Sequence, residues 1–187
     1  LLFYVKRHLA LEIAVTFFLG TVGLWGIRAG NLPFDLRPTA ASIVLGIAGF
    51  IWLALWTRLV QYGYQLAKGS AYARQLTASL AKEFADARPL QMVLGGLTAA
   101  CGEEIFFRGF IQARWGLLAA SVLFMAAHIG RRDIRVISYW SFFQGLYLGL
   151  FYMLTAKLLV PMIAHGLFDI GGMIYFRDFM TRSEKPA

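Results

Sequence analysis

One cysteine, Cys101, occurs in 187 residues, which rules out an intrachain disulfide and any cysteine cluster for a metal within the chain. Charge is scarce as well: 15% of residues are Asp, Glu, Lys or Arg, against ~25% in an ordinary soluble domain. With 59% hydrophobic residues and a mean hydropathy of +0.62, the chain lacks the polar surface a soluble protein needs. It reads as membrane-embedded. Acids are scarcer than bases, 10 against 18. No aromatic–basic module accompanies that excess, so nucleic acid is not an expected partner. Basic loops at an anionic membrane leaflet are the better reading, and membrane lipid the expected surroundings. Repeats and low-complexity tracts are also absent, and no stretch is left for a separate soluble domain of ordinary size. Residues 1–187 therefore read as a single membrane domain.

What is present is a succession of apolar runs. The first extends from about Leu9 to Ile27 and, having no small-residue cleavage site, reads as a span rather than a signal peptide. His8 and Glu12 sit at its margin and receive no role. A linker with the turn residues Gly30-Asn31-Leu32-Pro33 follows. Thr39 to Thr57 contains no charged residue at all and is the clearest span in the chain. Arg58 to Pro89 is the long polar stretch, where Tyr62, Leu66, Ala73, Leu76, Leu80 and Phe84 recur at helical spacing among charges. That pattern predicts an amphipathic helix at the membrane surface. Pro89 marks the start of a third span, Leu90 to Ile111. Trp115 to Ile129, Val136 to Ala156 and Leu158 to Phe176 complete the set, with Gly145 and Gly149 spaced to admit another helix closely. The expected fold is all-α: a polytopic bundle of about six transmembrane helices with an interfacial helix.

Lys and Arg set the orientation. The N-terminus, the second and fourth loops and the tail carry 13 basic residues, and the opposite side carries four, Arg28, Arg37, Arg114 and Lys157. Both termini are therefore expected in the cytoplasm.

One stretch resists this lipid-facing picture. Cys101-Gly102-Glu103-Glu104-Ile105-Phe106-Phe107-Arg108-Gly109 places two carboxylates and a guanidinium inside the third span. Charge at that depth must be paired, neutralised or turned toward a polar cavity. Glu104 and Arg108 are four apart and form the natural ion pair. Glu103, about 100° round the helix, is left without a partner in the motif, a position that suits a general base. A structural ion-pair knot between helices is the competing reading. His128 closes the fourth span four residues after Phe124, where an interfacial cap is the plain alternative. His165 and Asp169, again four apart, share one face of the sixth span and could simply satisfy each other.

Taken in order, Glu103-Glu104-x-x-x-Arg108, Phe124-x-x-x-His128 and His165-x-x-x-Asp169 resemble the three motifs of the CAAX-protease and bacteriocin-processing family of intramembrane proteases. The motif-bearing core covers residues 90–176. The resemblance implies a glutamate-type endopeptidase acting near the cytosolic membrane face on a peptide or membrane-associated protein substrate. Glu103 and His128 would hold and deprotonate a water, and His165 and Asp169 would match the pair that stabilises the oxyanion. Glu104, Arg108 and Phe124 would be structural and orienting. No cofactor is implied for the metal-free reaction; the alternative is zinc on Glu103, His128 and His165. Where the CAAX-type branch usually ends its last motif in Asn, this chain has Asp169. An ionised Asp169 would repel an oxyanion, but it could orient His165 and keep it protonated. A six-span core without large extensions looks like that of a bacterial relative, hence a plasma-membrane location.

Two other classes compete. A non-proteolytic membrane immunity or interaction protein could retain such a site, though every motif residue is intact. A proton-coupled transporter is disfavoured by the absence of an inverted repeat or broken-helix signature. Depth poses a difficulty as well. Glu103 lies ~20 Å from Leu90 along a helix, whereas His128 ends its span. Assigning Leu90 to Gly95 to the interfacial helix would bring the two level.

Overall fold

All regular structure among the described residues is helical. The computed structural model describes the backbone of residues 2–69, 71, 75, 77–78, 81–82, 84–129 and 135–183. It describes side chains for the same set apart from 2–9, 12, 135–138 and 180–183. The elements are α1 (Leu2–Ala29), α2 (Ala40–Lys68), α3 (Pro89–Glu104), a π-helical segment (Ile105–Gln112), α4 (Ala113–Ala127), α5 (Arg135–Thr155) and α6 (Leu159–Ser183).

Local chemistry accounts for most of the boundaries. Thr39 caps α2 through a reciprocal box: its hydroxyl accepts from the Ser42 backbone N–H at 3.1 Å, and the Ser42 hydroxyl accepts from the Thr39 N–H at 2.9 Å. Pro89 opens α3 at a position where its missing N–H costs nothing. The expected end of the second span at Thr57 is corrected. α2 continues unbroken through Arg58 to Lys68, so Tyr62 and Leu66 belong to it and not to a separate interfacial helix. Its 29 residues rise ~43 Å, more than a ~30 Å hydrocarbon core requires. Gly69, at φ 85°, ends it. Of the amphipathic stretch beyond, Ala73, Leu76 and Leu80 lie outside the described residues. Ala81 is fully buried and Phe84 stacks on Phe176 of α6, ring centroids 6.1 Å apart.

The third and fourth spans are not separated where apolar character lapses. The helix runs from Pro89 through the π segment, and the chain reverses at Gly116, whose φ of 87° and ψ of 171° interrupt α4. A side chain there would be strained. Phe110 meets Trp115 and Phe107 meets Phe124, at 5.4 and 5.1 Å between centroids, the pairing of an antiparallel hairpin.

Three stretches are long and apolar enough to cross a membrane by length and composition: Ala40–Lys68, Pro89–Ala127 and Leu159–Phe179; Ile13–Ala29 is a shorter apolar helix. Large apolar side chains cover the exterior, including Ile43, Val44, Trp52, Leu55 and Trp56 on α2. In water such a belt would be unstable; in lipid it is the expected outer face. The fold is that of an all-helical polytopic membrane protein.

Inside, helices approach through small residues. α6 packs between α2 and α3, α1 lies along α3 and the π segment, and α4 pairs with α5. Gly20, Gly23 and Gly26 of α1 face Gly102, Phe106 and Phe110 in turn, and a Cβ on Gly102 would collide with the Thr16 backbone. Without a hydrophobic drive between helices in lipid, this close packing is the main attraction available. At one end of the bundle, the Asp35 carboxylate accepts from Arg37 at 3.0 Å and from Lys157 at 2.6 Å, while its carbonyl accepts from the Leu158 N–H. The 28–38 linker and the α5–α6 turn thus share an end.

Candidate active site

The residues of the three motifs converge. Glu104 is fully buried and Arg108 is 1% exposed. Arg108 Nη1 donates to Glu104 Oε1 at 2.9 Å, the i, i+4 pair expected from spacing. The same oxygen lies 2.8 Å from His165 Nδ1, so one carboxylate serves a guanidinium and an imidazole from different helices. His165 Nε2 is 3.3 Å from Asp169 Oδ2, a looser contact to a side chain that is 29% exposed. The sequence reading gave the orientation of His165 to Asp169. Its tight contact is with Glu104.

Phe124 is the hub. Its ring stands 4.6 Å from the His128 ring, 5.9 Å from the His165 ring and 4.6 Å from the Arg108 guanidinium carbon. A cation over an aromatic face is attracted by the ring quadrupole, so Phe124 lies against three of the polar motif side chains at once. Its carbonyl also accepts from His128 Nδ1–H at 2.7 Å. A carbonyl only accepts, so this bond fixes the proton on Nδ1 and makes Nε2 the acceptor nitrogen of a neutral ring.

Charge arithmetic isolates Glu103. Glu104 and Asp169 face Arg108 and His165, two acids against two bases. Glu103 is the carboxyl left over, in electrostatic reach of all four. Its Oε2 is buried and accepts no hydrogen bond from any described residue. His128 lies within reach of His165, Asp169 and Arg108, three of the same neighbours.

The depth difficulty is resolved differently from the expectation. Residues 90–95 belong to α3, which is continuous from Pro89. Arg108 Nη2 donates to the Gly145 carbonyl at 3.3 Å, and a Cβ on Gly145 would meet Ser121 at 3.1 Å, so these three residues share a level. From that level Glu103 is five residues back along the chain and His128 seven residues on. That is roughly 7 and 10 Å of helix rise in the same direction. Because α4 ends early, at Ala127, its last residue stops beside the site rather than at the end of α3.

The π segment begins directly after Glu104. Hydrogen bonding to the fifth residue widens the turn, a distortion often found at functional sites. No periodicity in eight residues distinguishes it from α-helix, and sequence reading missed it. Gln112 was also passed over, although Glu104, Arg108 and Gln112 form an i, i+4, i+8 polar stripe that marks it. Gln112 is 6% exposed, and its Nε2 donates to the Gly149 carbonyl at 2.8 Å. Gly145 and Gly149 do admit close neighbours, as their spacing implied. His8 and Glu12 have no described side chains.

The alternative zinc ligands Glu103, His128 and His165 are not drawn together as a metal cluster in this structure. Both nitrogens of His165 face carboxylates, and no three His, Cys, Asp or Glu side chains among the described residues are grouped as metal ligands.

Comparison with known proteins meets the motifs at the same place. Residues 85–171 match the family model described as type II CAAX prenyl endopeptidase Rce1-like. The chain is also 40% identical over 78 residues to the uncharacterized protein YpbD of Bacillus subtilis (strain 168), a match covering 39% of each chain. It thus spans well under half the length of that relative. No solved structure matches.

Proposed function

From a chain whose residues 85–171 match the Rce1-like model of CAAX proteases, we propose an intramembrane endopeptidase that hydrolyses a peptide bond near the cytosolic membrane face. The observation that carries this reading is Glu103: a buried carboxyl oxygen with no hydrogen-bond partner among the described residues, next to the cluster of Glu104, Arg108, His165 and Asp169. Glu103 takes a proton from water as the oxygen attacks the substrate carbonyl carbon. It then returns that proton to the amide nitrogen as the C–N bond breaks. His128, oriented through Nδ1 by the Phe124 carbonyl, holds the same water. His165, fixed by Glu104 at Nδ1, turns its looser Nε2 edge, which faces Asp169, toward the developing oxyanion. Asp169 is its second support.

The substrate is a peptide, or the tail of a membrane-associated protein, reaching the site from the cytoplasm. Both termini face that side, and the host membrane is the plasma membrane of a bacterium. The basic-residue asymmetry supports the first placement and the bacterial relative the second.

The test is purified protein in detergent with a peptide library. Glu103→Ala folds and does not cleave, and Glu103→Gln loses about 10²–10⁴-fold in rate. Cleavage by folded Glu103→Ala at the wild-type rate overturns the assignment. If the wild-type chain cleaves nothing in the library, a non-proteolytic role replaces it.

A further inference from the structure

Arg108 and Gln112 are four residues apart, and the carbonyls they bond, Gly145 and Gly149, are four residues apart on α5. The two bonds therefore form a ladder between the π segment and α5. A Cβ on Gly149 would sit 2.5 Å from Gln112 Oε1 and collide with Leu117, so it would force those side-chain ends to shift. Gln112 is thus pressed against the α5 backbone. At the next rung Gly145 touches Ser121 of α4, so α5 contacts both the helix that leads to His128 and the segment that follows Glu103.

We propose that Gln112 is a positioning residue: by locking the π segment to α5, it sets the relative placement of Glu103 and His128. This rests on the peptidase reading for its consequence in rate, but not for its geometry. The cost of a polar amide buried in this apolar span argues for a function. Gln112 Oε1 has no hydrogen-bond partner among the described residues, and a non-polar residue of equal length would fill the space without that loss. What the amide adds is a directional bond to one carbonyl, which a hydrocarbon cannot supply. Slippage of α5 along the π segment is the motion this bond opposes.

A matched control is available on the same helix. Tyr147 donates from its hydroxyl to the Gly49 carbonyl at 2.8 Å, tethering α5 to α2 instead. Gln112→Met and Tyr147→Phe each remove one side-chain-to-carbonyl bond from α5 while keeping volume. If both bonds merely stabilise, the two variants behave alike.

The experiment uses the full chain in nanodiscs. Nitroxide labels are placed on the exposed native Cys101 and on a cysteine replacing Leu154, which is 82% exposed on α5. The interspin distance is compared with kcat and KM of the unlabelled proteins on the best peptide from the library. Gln112→Met is expected to shift or broaden the distance and to lower kcat ~10–100-fold with KM within about twofold. Tyr147→Phe leaves distance and kcat at wild-type values. Gln112→Asn, one methylene too short, takes the place of Gln112→Met if the latter does not fold. An unchanged distance overturns the proposal whatever the rate does, as does a shifted distance with kcat within twofold of wild type. If the wild-type chain cleaves no peptide, the peptidase reading fails and the distance alone decides the positioning role.

Discussion

Two carboxylates in this protein each serve two basic side chains, and they do so in opposite surroundings. Asp35 holds Arg37 and Lys157 at a partly exposed end of the bundle. Glu104 holds Arg108 and His165 in its interior, where neither it nor Arg108 is more than 1% exposed. At the surface, water competes for every bond, so the pairing ties two turns together and contributes little energy. In the interior no such competition exists. Each partner removed leaves a charge that lipid and packed side chains cannot solvate. The comparison separates a tether from a foundation, although the contact chemistry is the same.

The sharpest way to break it is Glu104→Gln. The variant keeps the shape of the side chain but replaces the carboxylate by a neutral amide whose one oxygen accepts more weakly, so the buried Arg108 loses its ion-pair partner and keeps the Gly145 carbonyl and the face of Phe124. A loss of about 3–5 kcal/mol is expected, read by equilibrium unfolding in mixed detergent. Stability within 1 kcal/mol of wild type would show that the pair is no foundation. Since the tight contact to His165 is weakened too, as one amide oxygen must serve both donors, any protein that folds should also have lost most of its turnover.

Asp169→Asn tests the other support of His165 and is expected to do far less. Asp169 stands 3.3 Å from Nε2 and keeps 29% of its side chain exposed, while Glu104 holds Nδ1 at 2.8 Å from full burial. An amide oxygen can still accept from the imidazole, so kcat should stay within about tenfold of wild type, roughly one hydrogen bond's worth. Complete inactivity of the folded variant would mean that the ionised carboxylate itself takes part in the reaction.

The two contacts of Glu104 also differ in how far the sequence revealed them. Glu104–Arg108 was legible because both ends lie on one helix, four residues apart. So were the start of α3 at Pro89 and the close approach at Gly145 and Gly149, each of which follows from local sterics. Glu104–His165 spans 61 residues, and no local rule reports which carboxylate a distant histidine will reach. The π segment was hidden for another reason: eight residues are too few for periodicity to separate one helical pitch from another. The extension of α2 past Thr57 was misread because charges at Arg58 and Lys68 mark where lipid ends, not where the helix does. The level of the site was misjudged for a related reason. Apolar length says how far a helix runs, and the meeting of Glu103 with the neighbours of His128 depends on where α4 stops.

The smallest effect belongs to the surface pairing, and its pH dependence carries a definite sign. Arg37 first, then Lys157, hold the Asp35 carboxyl well below the usual carboxylate range. A carboxyl depressed in the folded state stabilises it above its unfolded pKa of ~4, and the contribution fades as pH falls through the folded value. The difference in unfolding midpoint between wild type and Asp35→Asn should therefore be flat from about pH 5 to 8 and shrink below about pH 4. Because the group is in contact with water, the whole difference should also weaken with added salt, whereas the Glu104→Gln deficit should be nearly indifferent to it. A surface variant insensitive to salt, or a buried one as sensitive as the surface one, would erase the distinction between tether and foundation. The measurement needs no substrate, so it tests the architecture of the charged clusters whatever peptide the site accepts.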